Sequence, residues 1–129
     1  MKILSFDEHI TPASDASVIF MTNDADPRQV PLAGFKRIDL HFPKFTDGRA
    51  YSQAFLLRRR LGFQGEIRAT GDVLIDQLGS MARTGFDVAV LRKGLDASAA
   101  QRQFDRFPAF YQGSAVDTQP LFAKATTTA

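Results

Sequence analysis

A chain of 129 residues with 44% hydrophobic and 23% charged side chains has the size and composition of one globular domain, large enough to bury a core without metal or disulfide staples. It contains no cysteine, which excludes disulfides, thiol nucleophiles, cysteinyl iron–sulfur clusters and the usual structural zinc sites. The net charge of +2 selects no class of partner, no apolar run approaches the ~20 residues that cross a bilayer, and Asp7 and Glu8 interrupt the N-terminus too early for a signal peptide, so a cytoplasmic protein with no membrane partner is expected.

The first 35 residues read as an irregular lead-in carrying one strand, Ser17 to Thr22, which Asn23-Asp24-Ala25-Asp26-Pro27 ends. A second strand spans Arg37 to Phe42, where Ile38, Leu40 and Phe42 alternate with Arg37, Asp39 and His41, and Pro43 closes it. From Thr46 the apolar period changes from two to about 3.6. Ala50, Ala54, Leu57 and Leu61 then predict a helix capped by Thr46 or Asp47 and ended at Gly62. Gly65 to Thr70 follows as a short strand. Gly71-Asp72 opens a second helix through Arg83, with Asp72 as its N-cap and Gly85 at its end. Phe86 to Leu91 is an apolar, β-branched run of the kind buried on both faces of a sheet. A third helix is expected from about Ala97 to Phe107, begun by Asp96 or Ser98 and stopped before Pro108. Phe110-Tyr111-Gln112 adds a short edge strand or a packed turn, and residues 125–129 form a disordered tail.

Strand, helix, strand, helix, strand in close succession predicts a single α/β domain over residues 1–124, with a β-α-β-α-β-α core over 37–107. A helix joining neighbouring strands makes them parallel, so the sheet is expected to be small and mostly parallel, either an open three-layer sheet or a partial β/α barrel. The open sheet is the preferred form. A half-barrel would have to form a homodimer to cover its interior.

Open α/β folds place ligands at the C-terminal ends of their strands. That rim collects Lys44, Asp47 and Arg49 from the first loop, Arg68 and Asp72 from the second, and Arg92 from the third. These six residues form a candidate anion-binding site. The stretch Phe42-Pro43-Lys44-Phe45-Thr46-Asp47-Gly48-Arg49 sets an aromatic pair and an Asp-Gly-Arg turn before a helix start, an arrangement suited to an anion. Asp47 as a simple helix cap, with Arg49 paired to a neighbouring acid, is the structural alternative. Arg68 stands late in a central strand and must reach an acid, a ligand or water.

Other chemistries find no support. Gly71-Asp72 lacks the spaced glycines of a dinucleotide fingerprint, His9 and His41 have no partner at metal-ligand spacing, and no Gly-x-Ser-x-Gly elbow is present. Arg49, Arg58, Arg59, Arg60 and Arg68 form a modest basic surface that reads as a solvated helix face or as an anion-binding or docking surface, and without interleaved aromatic residues Arg58-Arg59-Arg60 does not predict nucleic-acid binding. No catalytic residue, metal or cofactor is assigned.

The segments Phe42-Pro43, Phe45, Asp47-Gly48-Arg49, Leu57-Arg58, Gly65-Glu66, Arg68-Ala69, Gly71-Asp72, Asp76-Gln77, Arg83 and Gly85-Phe86 resemble the pattern of a bacterial domain family of unknown function. That family is encoded beside assimilatory sulfite reductase and is labelled a probable oxidoreductase of sulfite reduction. The resemblance runs without gaps over about a third of the chain, Phe42 to Asp87, and Tyr111-Gln112 is similar too. It implies a setting, the assimilation of sulfate and sulfite into cysteine, and carries over no catalytic residue. Two functions are therefore expected in turn: an accessory protein that docks to sulfite reductase or its electron donor, and a small enzyme or sensor that binds a sulfur or phosphate oxyanion at the rim. The first is preferred, because a chain without cysteine or a cofactor fingerprint has no evident means of moving electrons.

Overall fold

Alternation decides how the central strands sit. In Arg37–Phe42 the apolar set Ile38, Leu40 and Phe42 is fully buried, which directs that face toward the helices and leaves Arg37, Asp39 and His41 on the other. The computed structural model, which describes residues 1–9 and 16–106, builds five strands into one sheet. They are β1 (Lys2–Leu4), β2 (Val18–Met21), β3 (Arg37–Phe42), β4 (Glu66–Gly71) and β5 (Val88–Val90). Their order across the sheet is β1-β5-β4-β3-β2, and every neighbouring pair is parallel.

Three helices cover one face: α1 (Arg49–Phe55), continued by a π-helical turn Leu56–Arg60, α2 (Leu78–Thr84) and α3 (Ala97–Arg106). From β2 to β5 each strand is laid beside its predecessor, so right-handed crossovers put α1 and α2 on the same side. Register pairs Ile38 with Ile67, Leu40 with Ala69 and Ala69 with Ala89. Those residues join Ala54 and Leu57 of the first helix, Met81 of α2 and Ala100 and Phe104 of α3 in a single core. Each fully buried large side chain there contributes roughly 1.5–3 kcal/mol. Phe42 packs on Tyr51 with ring centres 5.1 Å apart and on Phe86 at 5.8 Å. These contacts fix α1 and the start of β5 against β3.

The single parallel α/β domain matches the expectation from sequence, and three local differences have physical causes. The lead-in carries a second strand, β1, whose three residues are too few to show alternation. It pairs with β5 at the far edge of the sheet and is tied to α3 where the Ile3 amide donates to Gln101 Oε1 at 2.7 Å. The second helix begins later than Asp72. Gly71 has φ +94° and the Asp72 amide donates to the Phe42 carbonyl at 2.8 Å, so the chain follows the sheet edge and coils only at a 3₁₀ turn, Ile75–Gln77. A Cβ at residue 71 would lie 2.4 Å from the Phe42 carbonyl oxygen, which reserves the position for glycine. At α1 the N-cap is Gly48 with no side-chain cap, where Thr46 or Asp47 is expected from sequence, because the Asp47 carboxylate is taken by Arg49 and Asn23. At α3 Asp96, one of the two expected caps, accepts from the Ala99 amide at 3.0 Å. The expected element at Phe110-Tyr111-Gln112, the end of the third helix at Phe107 and the tail lie outside the described residues. Among the described residues no helix is long and apolar enough to cross a membrane.

Candidate functional site

At the C-terminal edge of the sheet the loops that follow β2, β3, β4 and β5 are joined by side chains. Asp72 is at the centre: its Oδ2 accepts from the Phe45 amide at 2.8 Å and its Oδ1 from Arg92 at 3.1 Å. Those two bonds, the Phe45 amide first and Arg92 second, hold the Asp72 carboxyl below the usual range. Gln77 completes the clamp by donating to the Phe45 carbonyl at 2.5 Å while its Oε1 accepts from the Leu74 amide at 3.1 Å. Both backbone groups of Phe45 are thus held by side chains 27 and 32 positions further on. The ring itself is 47% exposed, and Ile75, on the turn that carries Gln77, is 36% exposed.

The first loop is built in the same manner. Asp47 accepts from the Arg49 amide at 3.0 Å, from Arg49 Nε at 3.2 Å and NH2 at 2.8 Å, and from Asn23 Nδ2 at 2.6 Å. The Arg49 side chain, then its amide, bring the Asp47 carboxyl down to about 2. Asn23 binds the loop after β2 to this network. Deeper in the same region, the buried Gln53 donates to the carbonyls of Thr22 and Ala25 at 2.8 Å each and fixes that loop to α1.

Of the six residues expected to form an anion site, Lys44, Asp47, Arg49, Asp72 and Arg92 therefore lie on one edge. Arg49 and Arg92 each hold a carboxylate of that edge, and Lys44 extends from it without an ion pair among the described residues. Arg68 is set apart. It is the third residue of β4, on the sheet face opposite the helices, and its Nε donates to Glu66 at 2.8 Å.

That opposite face holds an ion cluster. Arg37 makes two hydrogen bonds to Asp39, 2.8 and 2.9 Å, and register sets Arg37 beside Glu66 and Asp39 beside Arg68. Asp39 is fully buried. His9 reaches over the pair, its Nδ1 2.9 Å from Arg68 NH1 and its Nε2 3.9 Å from Asp39 Oδ2. A guanidinium only donates, so Nδ1 is the acceptor and the ring is neutral with its proton on Nε2. Burial lowers the His9 pKa, against the opposing pull of Asp39. Among the described residues no group of three His, Asp or Glu is placed to hold a metal ion.

Sequence reasoning found the strands but not this cluster. The available signal was charge of opposite sign at alternate positions of two adjacent central strands, Arg37 and Asp39 in one, Glu66 and Arg68 in the other. Strands inside a parallel sheet are ordinarily apolar on both faces, so such residues must answer one another.

Residues 18–122 match the family model described as "Bacterial protein of unknown function (DUF934)". The chain belongs to this family. No curated protein and no solved structure matches it. The stretch shared with the DUF934 family takes in the whole stitched edge and four members of the ion cluster, while β1 and His9 precede it.

Proposed function

We propose that this DUF934 protein is an accessory of assimilatory sulfite reduction that acts by docking to the reductase or to its electron donor, with the C-terminal edge of the sheet as the contact surface. One observation carries the reading: Phe45 is exposed on a loop whose amide and carbonyl are both held by side chains. A large ring kept in water on a fixed backbone loses little freedom when it is buried by a partner, and aromatic anchors of this kind dominate interface energetics. Ile75 adds a second apolar contact. Lys44 and Lys93 are exposed on the same edge without ion pairs among the described residues, so the complementary surface is an apolar recess with an acidic rim. The resemblance to proteins encoded beside sulfite reductase supplies the partner. The arginines expected to bind an oxyanion each face a carboxylate, which favours docking over that alternative.

The test is a titration of fluorescently labelled protein with purified sulfite reductase and, separately, with its electron donor. Binding in the micromolar range or tighter is expected for one of them, and Phe45→Ser should weaken it roughly 10–100-fold without a change in far-UV circular dichroism. Equal affinities for wild type and Phe45→Ser, or no binding to either protein, would rule the reading out.

A further inference from the structure

A second surface of the molecule, independent of the edge, has the make-up of a ligand site. On the helix face an open groove of about 600 Å³ runs between α1 with its π-helical continuation, the 3₁₀ turn Pro27–Gln29 and the end of α2. Its apolar wall is made by Tyr51, Phe55 and Leu56, of which Phe55 is 40% exposed. Ser52 and Thr84 add hydroxyl groups, and the charged residues of the lining are two arginines, Arg28 and Arg60, with no acid among them.

The two arginines differ in a useful way. Arg28 is held in place by Asp26 through two hydrogen bonds of 3.1 Å, from Nε and NH2. Arg60 forms no ion pair with a described residue and is exposed. The Arg59 guanidinium sits 5.7 Å from the centre of the Phe55 ring, adding positive charge beside the apolar wall. Arg83 lies close enough to Tyr51 for its charge to oppose the rise that burial imposes on the tyrosine hydroxyl. Arg28 carries Asp26 as its counter-charge, so Arg60 is the cation of the lining left to meet a ligand.

Guanidinium groups recognise carboxylate, sulfonate and phosphate by charge-assisted hydrogen bonds, and the apolar wall recognises a ring or chain. We propose that this groove binds an amphipathic organic anion, one with an aromatic or acyl body laid on Phe55 and Leu56 and an acidic head at Arg60. A bare inorganic oxyanion would leave the wall unused, and a neutral apolar compound would leave Arg60 in water without a counter-charge.

The experiment uses 8-anilinonaphthalene-1-sulfonate as the probe on the full chain. Saturable binding with one probe per chain is expected, and Arg60→Glu should weaken it at least ~10-fold. Phe55→Ser should weaken it to a similar degree, and Arg102→Glu, an exposed change on α3, should leave it unchanged. Melting temperatures identical to wild type show that both groove variants are folded. The neutral analogue N-phenyl-1-naphthylamine should bind at least ~10-fold more weakly than the sulfonate. Absence of saturable binding, unchanged affinity in Arg60→Glu and Phe55→Ser, or equal affinity for the neutral compound would each overturn the proposal.

Discussion

Arg58→Ala should lower the melting temperature by roughly 10–20 °C, the equivalent of about 3–5 kcal/mol in a domain of this size. Arg58 looks like one of three solvated arginines in a row, yet its side chain is only 14% exposed. Its Nε donates to the Gly85 carbonyl at 3.0 Å and its NH1 to the carbonyls of Phe63 and Gly65 at 2.7 Å each. Its NH2 pairs with Asp87, which also accepts from the Ile67 amide at 2.8 Å. One guanidinium thus joins the end of α2, the turn before β4 and the approach to β5. Removing it leaves three carbonyls without their donor at once and takes the cation from Asp87, which keeps water and the Ile67 amide. Arg58→Lys should recover little, because a single ammonium cannot serve acceptors spread around a planar fork. By contrast, Arg60→Ala should shift the melting temperature by no more than about 2 °C. Thermal unfolding followed by circular dichroism separates these outcomes, and a shift in Arg58→Ala as small as that in Arg60→Ala would refute the assignment.

Asp39→Asn should cost a comparable amount, about 3–5 kcal/mol. Asn preserves the shape of the side chain but takes from the mostly buried Arg37 the carboxylate it holds at 2.8 Å, leaving Glu66 at 4.0 Å as counter-charge in a sheet face that also holds Arg68. Replacing Arg37 and Asp39 together with leucine should restore most of the loss, since a buried pair is held in place more by the penalty of breaking it than by its net attraction. The same cluster predicts a pH dependence. His9 faces Asp39 and Arg37 from β3 and Glu66 and Arg68 from β4, and its pKa is lower folded than unfolded. The unfolded chain therefore binds the proton first. The contribution is present above the unfolded value of about 6.5 and is lost as pH falls from there toward the folded value. His9→Gln should remove that portion of the slope of melting temperature against pH. An unchanged slope would show that the ring titrates alike in both states.

Local periodicity carried most of the fold. Ile38, Leu40 and Phe42 alternate over six residues, and Ala50, Ala54 and Leu57 recur at helical spacing, so these elements and the parallel sheet they imply were legible. β1 was not, because three residues cannot display a period. The sites depend on contacts between distant parts of the chain. Asp72 reads as a helix cap from its neighbours, whereas its carboxylate in fact reaches the Phe45 amide 27 residues back. By charge and spacing Arg58 reads like Arg59 and Arg60, although the family resemblance takes in Leu57-Arg58, and the packing of the π-helical turn against Gly85 turns it inward: a Cβ on Gly85 would lie 2.5 Å from Arg58 Cγ. The ion cluster was half visible. Its charges were in plain sight, but the register that sets Arg37 by Glu66 and Asp39 by Arg68 is a property of two strands and not of either one.

The family pattern gains a physical meaning from these contacts. Phe45, Asp72 and Gln77 build the clamp, Asp47 and Arg49 fix the first loop, and Arg58, Gly65 and Gly85 tie the helices to the sheet. Much of what makes the sequence recognisable serves to hold one edge of the sheet rigid.

Amide hydrogen exchange with and without sulfite reductase tests the docking surface most directly. In the free protein the Phe45 amide should already exchange slowly although its ring is exposed, and at saturating reductase the added protection should fall on residues 43–48 and 75–77. A fast Phe45 amide in the free protein, or protection that appears only on the helix face, would contradict a preformed contact edge.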